Sequence, residues 1–316
     1  MLQQDNTKKK FFKFQSTFKL PNETLEISIN YNDTILAISD LKNIQLYQIL
    51  EFQFIYHSTL EGHQGGITTL LFSTQSNTLF SGGRDKIIII WKEIDNQFTI
   101  FQLIKENTDW IQQIAVFSND CYFISTSDDH SIKLWSQSNT QQWSCIQTIQ
   151  NEEWDPSYVS FNKQQNLVVC VTKYNQFAIW NFQKDILKKI QAVNLENFKS
   201  IQQIFFSEEN LIFILTLMQT IEIWQQNNEN FLFEKKSSFF CQKQQYFIHF
   251  NINLQYLAGL EAGSAIQIYH LDQNKELQQI QTIDGNYQAS ITSNLNGVHL
   301  IIIKDYNCLE SWQFQN

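Results

Sequence analysis

The sequence predicts an all-β fold assembled from seven copies of one four-stranded antiparallel unit. Three observations carry that prediction. Short strand-like runs ending in an aromatic residue recur at a near-constant interval, a second apolar run precedes each of them in constant phase, and helical start and stop signals are lacking throughout. The aromatic endings are "IQLY" at Tyr47, "IIIIW" at Trp91, "IKLW" at Trp135, "FAIW" at Trp180, "IEIW" at Trp224, "IQIY" at Tyr269 and "LESW" at Trp312. Successive anchors are 44, 44, 45, 44, 45 and 43 residues apart.

Each unit then resolves into four strands. The first reads "LEISIN", "ITTLLFS", "IQQIAVFS", "YVSFN", "IQQIFFS", "YFIHFN" or "ASITSN". The second is an apolar run such as "NTLFS", "CYFIS", "NLVVCV" or "LIFIL", the third carries the anchor, and the fourth reads like "FQFIYHSTL", "FTIFQLI", "WSCIQTI" or "LQQIQTI". Residues are β-branched and aromatic, with polar turns between runs. A period near 40–45 residues with four strands per unit marks the blade of a β-propeller. Within "GGRDKIIIIWK" the four isoleucines are expected to form a third strand whose two faces both press on neighbouring blades, so the apolar run is unbroken.

The second unit, "LEGHQGGITTLLFSTQSNTLFSGGRDKIIIIWK", contains Gly62-His63, Ser81, the turn residue Asp85 and Trp91. On these residues the chain resembles the WD-repeat (WD40) family. The third unit keeps "SDDHSIKLW", with Asp129 in the turn and Ser125 matching Ser81, while Glu106-Asn107 replaces Gly-His. The resemblance implies a structural tetrad in which Asp85 orients His63 and His63 links through Ser81 to the indole N–H of Trp91. Other units depart from the pattern: six residues before the anchor stand Leu41, Tyr174, Met218, Gly263 and Tyr306, and no anchor is followed by aspartate. The family also implies closure of the ring by the N-terminal strand. Four residues follow Trp312, and "FKFQSTFKLPNE" (12–23) has the pattern of a missing fourth strand. Residues from about 11 to 20 are expected to pair with the strand containing Trp312, leaving no open seam. The organisation expected is a polar tail over 1–10 and a single seven-bladed propeller over 11–316.

Composition narrows the function. Of 316 residues 43% are hydrophobic and 17% charged, with 9 Gly and 2 Pro, which suits a large core and not flexible linkers. Gln and Asn fill most polar positions, which reads as compositional bias, and Arg84 is the lone arginine. A net charge of −9 disfavours nucleic-acid binding, which needs clustered Lys and Arg at phosphates. The pairs Lys188-Lys189 and Lys235-Lys236 are expected to be solvated loop charges. Five scattered cysteines without a Cys-x-x-Cys pair read as reduced thiols. "MLQQDNTKKK" has no apolar signal region, and no apolar run reaches the roughly 18 residues of a membrane helix. A cytoplasmic protein is expected, compatible with nuclear or ciliary association.

A His-Ser-Asp set raises the question of hydrolysis, which would require a base-activated serine beside an oxyanion hole. No Gly-x-Ser-x-Gly elbow is present, and His57, His130, His249, His270 and His299 lack metal-ligand spacing. His130, in a turn beside Asp128 and Asp129, is expected to be exposed. "GGRDK" and "LEAGSA" are turns between strands and do not open a helix, as a phosphate loop must. No enzyme activity, cofactor or metal is expected.

The candidate partner-binding residues lie in two neighbouring loops. These are "NTDW", with Asp109 and Trp110, and "NEEWDP", with Glu152, Glu153, Trp154 and Asp155. Exposed tryptophans among charges suit an interface hot spot; the alternative is that each packs over its own blade. Arg84 either joins this patch or pairs with a carboxylate such as Asp85. The function expected is a non-catalytic scaffold or adaptor for protein partners, monomeric within a larger assembly. One alternative is recognition of a short, possibly modified peptide at the channel mouth, where Trp110 and Trp154 with the acids would cage a methylated lysine. Another is a subunit of an iron–sulfur targeting, RNA-processing, trafficking or ciliary complex, among which the sequence does not choose.

Overall fold

The computed structural model describes residues 11–20, 26–50, 53–162, 164–173, 175–195, 201–206, 211–216, 220–240, 245–251, 256–261, 265–271, 277–284, 287–293, 299–304 and 308–315. The polar tail over 1–10 and the turn positions Tyr174, Met218, Gly263 and Tyr306 lie outside the described residues.

Among the described residues there are strands and no helix, and all sheets are four-stranded and antiparallel. The first sheet comprises β2 (Ile27–Ile29), β3 (Ile35–Asp40), β4 (Asn43–Leu50) and β5 (Gln53–Leu60). The second comprises β6 (Ile67–Phe72), β7 (Thr78–Gly83), β8 (Ile88–Ile94) and β9 (Gln97–Ile104), and the third β10 (Ile111–Val116), β11 (Tyr122–Ser127), β12 (Ser131–Gln137) and β13 (Trp143–Gln150). In the fourth are β14 (Val159–Phe161), β15 (Leu167–Lys173), β16 (Gln176–Gln183) and β17 (Ile186–Asn194). The fifth holds β18 (Ile201–Phe206), β19 (Leu211–Thr216), β20 (Thr220–Gln226) and β21 (Phe233–Phe240), and the sixth β22 (Gln245–Asn251), β23 (Tyr256–Glu261), β24 (Ala265–Leu271) and β25 (Leu277–Asp284). The seventh mixes the chain ends: β26 (Tyr287–Ser293), β27 (His299–Lys304), β28 (Cys308–Gln315) and, beside β28, the N-terminal strand β1 (Phe11–Lys19). Phe14 stands opposite Trp312, and their rings meet edge to face at 5.4 Å.

The first strand of each sheet neighbours that of the next, β2 beside β6, then β10, β14, β18, β22 and β26, and β26 lies beside β2. Alternation within the third strands explains the isoleucine run. Ile89 and Trp91 pack into a cluster with Leu46 and Leu60 of the first sheet, while Ile88 and Ile90 pack with Phe123 and Trp135 of the third. Successive strand residues point to opposite faces, and here both faces are interiors.

Polar side chains then tie sheet to sheet at the anchor period. Gln102, Gln147 and Gln191 each present an amide to one backbone residue of the next outer strand, accepting its N–H and donating to its C=O. The partners are Trp143 (2.8 and 2.8 Å), Leu187 (2.8 and 3.1 Å) and Phe233 (2.7 and 2.9 Å). A primary amide reproduces the donor–acceptor pattern of a peptide group, so one side chain extends the hydrogen bonding across a gap between sheets. These glutamines are therefore structural clips as well as compositional bias. Lys188, Lys189 and Lys235 lie on strands and not in loops, and Lys235 donates at 2.8 Å to the buried carboxylate of Glu222.

Candidate functional site

One end of the sheets gathers the turns between second and third strands and the loops leading into first strands. In the second sheet this end is held by a buried relay. His63 Nδ1 lies 2.9 and 3.0 Å from the Asp85 carboxylate oxygens, His63 Nε2 lies 2.8 Å from Ser81 Oγ, and Trp91 Nε1 donates to Ser81 Oγ at 2.9 Å. With its proton on Nδ1, a neutral imidazole lets every group donate or accept in turn. Asp85 also accepts the backbone N–H groups of Gln64 and Ile87. Burial opposes its ionisation, but the His63 hydrogen bond and these backbone donors together hold the carboxyl below the usual range. Ser81 is fully buried, so no substrate reaches its hydroxyl. Gly62 precedes the histidine for a steric reason: a Cβ there would lie 2.9 Å from the ring edge of Trp91.

The third sheet keeps the two ends of this relay as separate pieces. Trp135 Nε1 donates to Ser125 Oγ at 2.9 Å, as Trp91 does to Ser81. Asn107 stands where the histidine would be, and Lys133 bridges it to the turn, donating to Asn107 Oδ1 at 2.9 Å and Asp129 Oδ2 at 3.0 Å. In the first, fifth and seventh sheets the acceptor comes from two residues before the anchor, on the same strand face. Tyr47 donates to Gln45 at 2.6 Å, Trp224 to Glu222 at 3.2 Å and Trp312 to Glu310 at 3.3 Å. Polar residues at this offset are visible in the sequence, but their meaning depends on which way the anchor's polar atom turns.

The candidate partner-binding residues separate into two groups. Trp110 is 41% exposed, and the Arg84 guanidinium carbon sits over its ring, 4.9 Å from the centroid. Arg84 makes no ion pair with a carboxylate among the described residues; Asp85 is committed to the relay. Lys86, from the same β7–β8 turn, donates to Thr108 O at 2.7 Å and lies 3.7 Å from Asp109, whose carboxylate also accepts the Trp110 N–H. Two cations from one sheet thus clasp the loop leading into the next, leaving the indole partly bare.

Trp154 is different, and of the two readings open for these indoles it takes the one that packs on its own blade. It is 8% exposed, packs edge to face on the anchor Trp180 at 6.2 Å and joins the cluster of Ile132, Leu134 and Val159. The fourth sheet lacks a Gly-His pair against its anchor, and this ring takes part of that place. A two-ring cage cannot form from Trp110 and Trp154. Glu152, Glu153 and Asp155 are all exposed, and Glu153 also pairs with Lys173 at 2.9 Å. His130 is half-buried and not free in its turn: Nδ1 donates to the Trp154 carbonyl and lies 3.7 Å from Asp155.

Among the described residues no group of His, Cys, Asp and Glu is placed to hold a metal ion, and no helix is long and apolar enough to cross a membrane. The WD domain, G-beta repeat family matches residues 55–92 and 99–136. Those two stretches end one residue past the anchors Trp91 and Trp135, whose indoles bond to serine. A relative in Candida albicans, the small ribosomal subunit protein RACK1, is 34% identical over 86 residues, covering 26% of this chain and 27% of that protein. The human transducin beta-like protein 3 is 29% identical over 99 residues, covering 29% of this chain and 12% of its own length. The similarity thus spans about a quarter or less of either relative. The chain thus carries two matching WD repeats, set among all-β, four-stranded antiparallel sheets.

Proposed function

We propose that the seven sheets are the blades of one closed propeller over residues 11–316, acting as a non-catalytic adaptor that holds loops in fixed relation for protein partners. Closure is supported by the placement of β1 beside β28 and of β26 beside β2. A stiff ring removes exposed sheet edges at the seam and lets several short contacts sum to specificity. The observation that carries the binding site is the Arg84–Trp110 stack: a large exposed ring held by a cation, with acidic Asp109 beside it. Such a pair loses little side-chain freedom when a partner covers it. The Candida relative is named as a ribosomal-subunit protein, and a place in a large assembly suits an adaptor. With a net charge of −9, contact here would be to protein and not to nucleic-acid phosphates. Cys121, Cys145 and Cys170 form no disulfide, in keeping with a reducing, cytoplasmic setting.

The test is affinity capture from the native cell with mass spectrometry, comparing wild type with an Arg84→Ala/Trp110→Ala double variant. Loss of at least one stoichiometric partner, with an unchanged urea midpoint, is the expected result. An unchanged partner set refutes this site.

A further inference from the structure

At the opposite end of the sheets, the turn between β6 and β7, the end of β8, and the turns β10–β11 and β12–β13 enclose a cleft of about 350 Å³ between the second and third sheets. Its floor is aromatic, with Phe80 and Trp143 edge to face at 5.6 Å. Its walls carry Glu93 and Asp120 against a single cation, Lys92. That cation is already engaged. Its ammonium donates to Gln141 Oε1 at 2.6 Å and lies 3.9 Å from the Phe101 ring centroid. Burial pushes the Lys92 ammonium below its usual range, with Asp120 opposing.

Two polar atoms among the cleft's residues are unmatched. Asp120 accepts the Ser73 and Ser76 hydroxyls through Oδ2, while Oδ1 is buried with no donor. Trp143 is 4% exposed and its indole N–H has no acceptor. Buried groups without partners are uncommon in folded proteins, and each has a free-energy cost. The set is complementary to a ligand that donates from a cation and accepts through a nearby neutral oxygen. The excess negative charge selects against an anion, and a volume at the small end for binding pockets suits one side chain with its attached peptide group.

We propose that this cleft binds an arginine residue of a polypeptide partner, with the guanidinium between Asp120 and Glu93 over the aromatic floor and a main-chain carbonyl toward the Trp143 indole. A planar guanidinium can both stack on rings and bond carboxylates, which an ammonium does less well. Admission requires a small side-chain adjustment, because both unmatched atoms lie beneath the lining. Gln141 and Lys92, held to each other at the rim, are the groups that would move.

The probe is N-acetyl-arginine amide, titrated while the tryptophan indole N–H resonances are followed by NMR, with Trp143 assigned through Trp143→Phe. A ligand of this size is expected to bind with Kd on the order of 1 mM. The Trp143 signal should shift saturably, capped citrulline should leave it unmoved, and free arginine should bind at least about threefold more weakly if the peptide group contributes. Asp120→Asn should weaken binding about tenfold or more, from loss of a buried charge partner. Glu93→Gln, which leaves the serine contacts intact, should weaken it about threefold and decides the matter if the Asp120 variant folds poorly. Absence of any Trp143 shift at 20-fold the expected Kd, meaning a cleft filled by water alone, overturns the proposal. Equal shifts with capped citrulline, equal affinity of free and capped arginine, or wild-type affinity in Glu93→Gln also overturn it. This cleft and the Arg84–Trp110 stack lie at opposite ends of the sheets, so either reading can fail without the other.

Discussion

In the second sheet the indole N–H of Trp91 ends a relay of Ser81, His63 and Asp85 drawn from three segments of the chain; in the fifth, Trp224 bonds to Glu222 two residues earlier. Both anchors are large rings pressed between sheets, and both need an acceptor for one polar atom. The difference lies in what else is held. The relay pins the loop at His63 and Gln64 to the β7–β8 turn, and that turn carries Arg84 and Lys86 to the next sheet. Glu222 accepts from its own strand's anchor and pairs with Lys235 on the adjacent strand. Packing therefore demands the aromatic, while the relay is an added device for fixing loops. Both matched WD repeats fall on sheets whose anchors bond to serine.

The sharpest way to break this contrast is to remove Asp85. Asp85→Ala takes the acceptor from His63 and from two backbone N–H groups, and should lower the unfolding free energy by about 3 kcal/mol in urea titrations. Its pH signature has a definite sign. The folded carboxyl titrates below its unfolded value, so its stabilisation is complete above about pH 4 and is lost as pH falls through the lower folded pKa. Asp85→Asn should accordingly lose less stability than wild type between about pH 4 and pH 2.

Glu222→Ala is the matching cut in the fifth sheet. It strands the Trp224 N–H and releases Lys235, which is partly exposed and can turn to water. A loss of about 2 kcal/mol is expected, and about 1 kcal/mol for Glu222→Gln, which keeps an acceptor. A cost for Glu222→Ala equal to that of Asp85→Ala would show that the relay does no more than satisfy the indole.

The smallest effect tests the joints between sheets. Gln147→Ala removes two half-buried hydrogen bonds to Leu187 and should cost about 1 kcal/mol. Gln147→Glu, which keeps the acceptor and loses the donor to the Leu187 carbonyl, should cost at least as much, because a carboxylate then faces that carbonyl. If both variants match wild type in thermal melts, the glutamine clips add nothing beyond apolar packing.

Much of this architecture was legible because the signal repeats. Each anchor, and the apolar runs on either side of it, obeys a rule set by the pleat and by burial on both faces, so seven weak copies reinforce one another. The strand beside Trp312 was legible for the same reason, since residues 12–19 copy the pattern that follows Tyr47. The candidate site was legible only in outline. Trp110 and Trp154 occupy similar acidic loops in adjacent units, yet one lies under Arg84 in reach of solvent and the other fills a space against Trp180. Lys133, Glu222 and the three glutamines were invisible as structural groups, because a polar residue on a strand looks the same whether it faces water, an indole or the next sheet.

Period, strand count and the identity of the seven anchors follow from the chain alone, since alternation and spacing are local properties that any compact arrangement of these strands must respect. Which polar atom meets which partner was decided only on assembly. The groups that clasp Trp110, clip Gln147 to Leu187 and leave Asp120 and Trp143 unmatched come from neighbouring sheets some 20 to 47 residues apart in sequence. Their encounter depends on how two twisted sheets face one another, which a one-dimensional pattern does not encode.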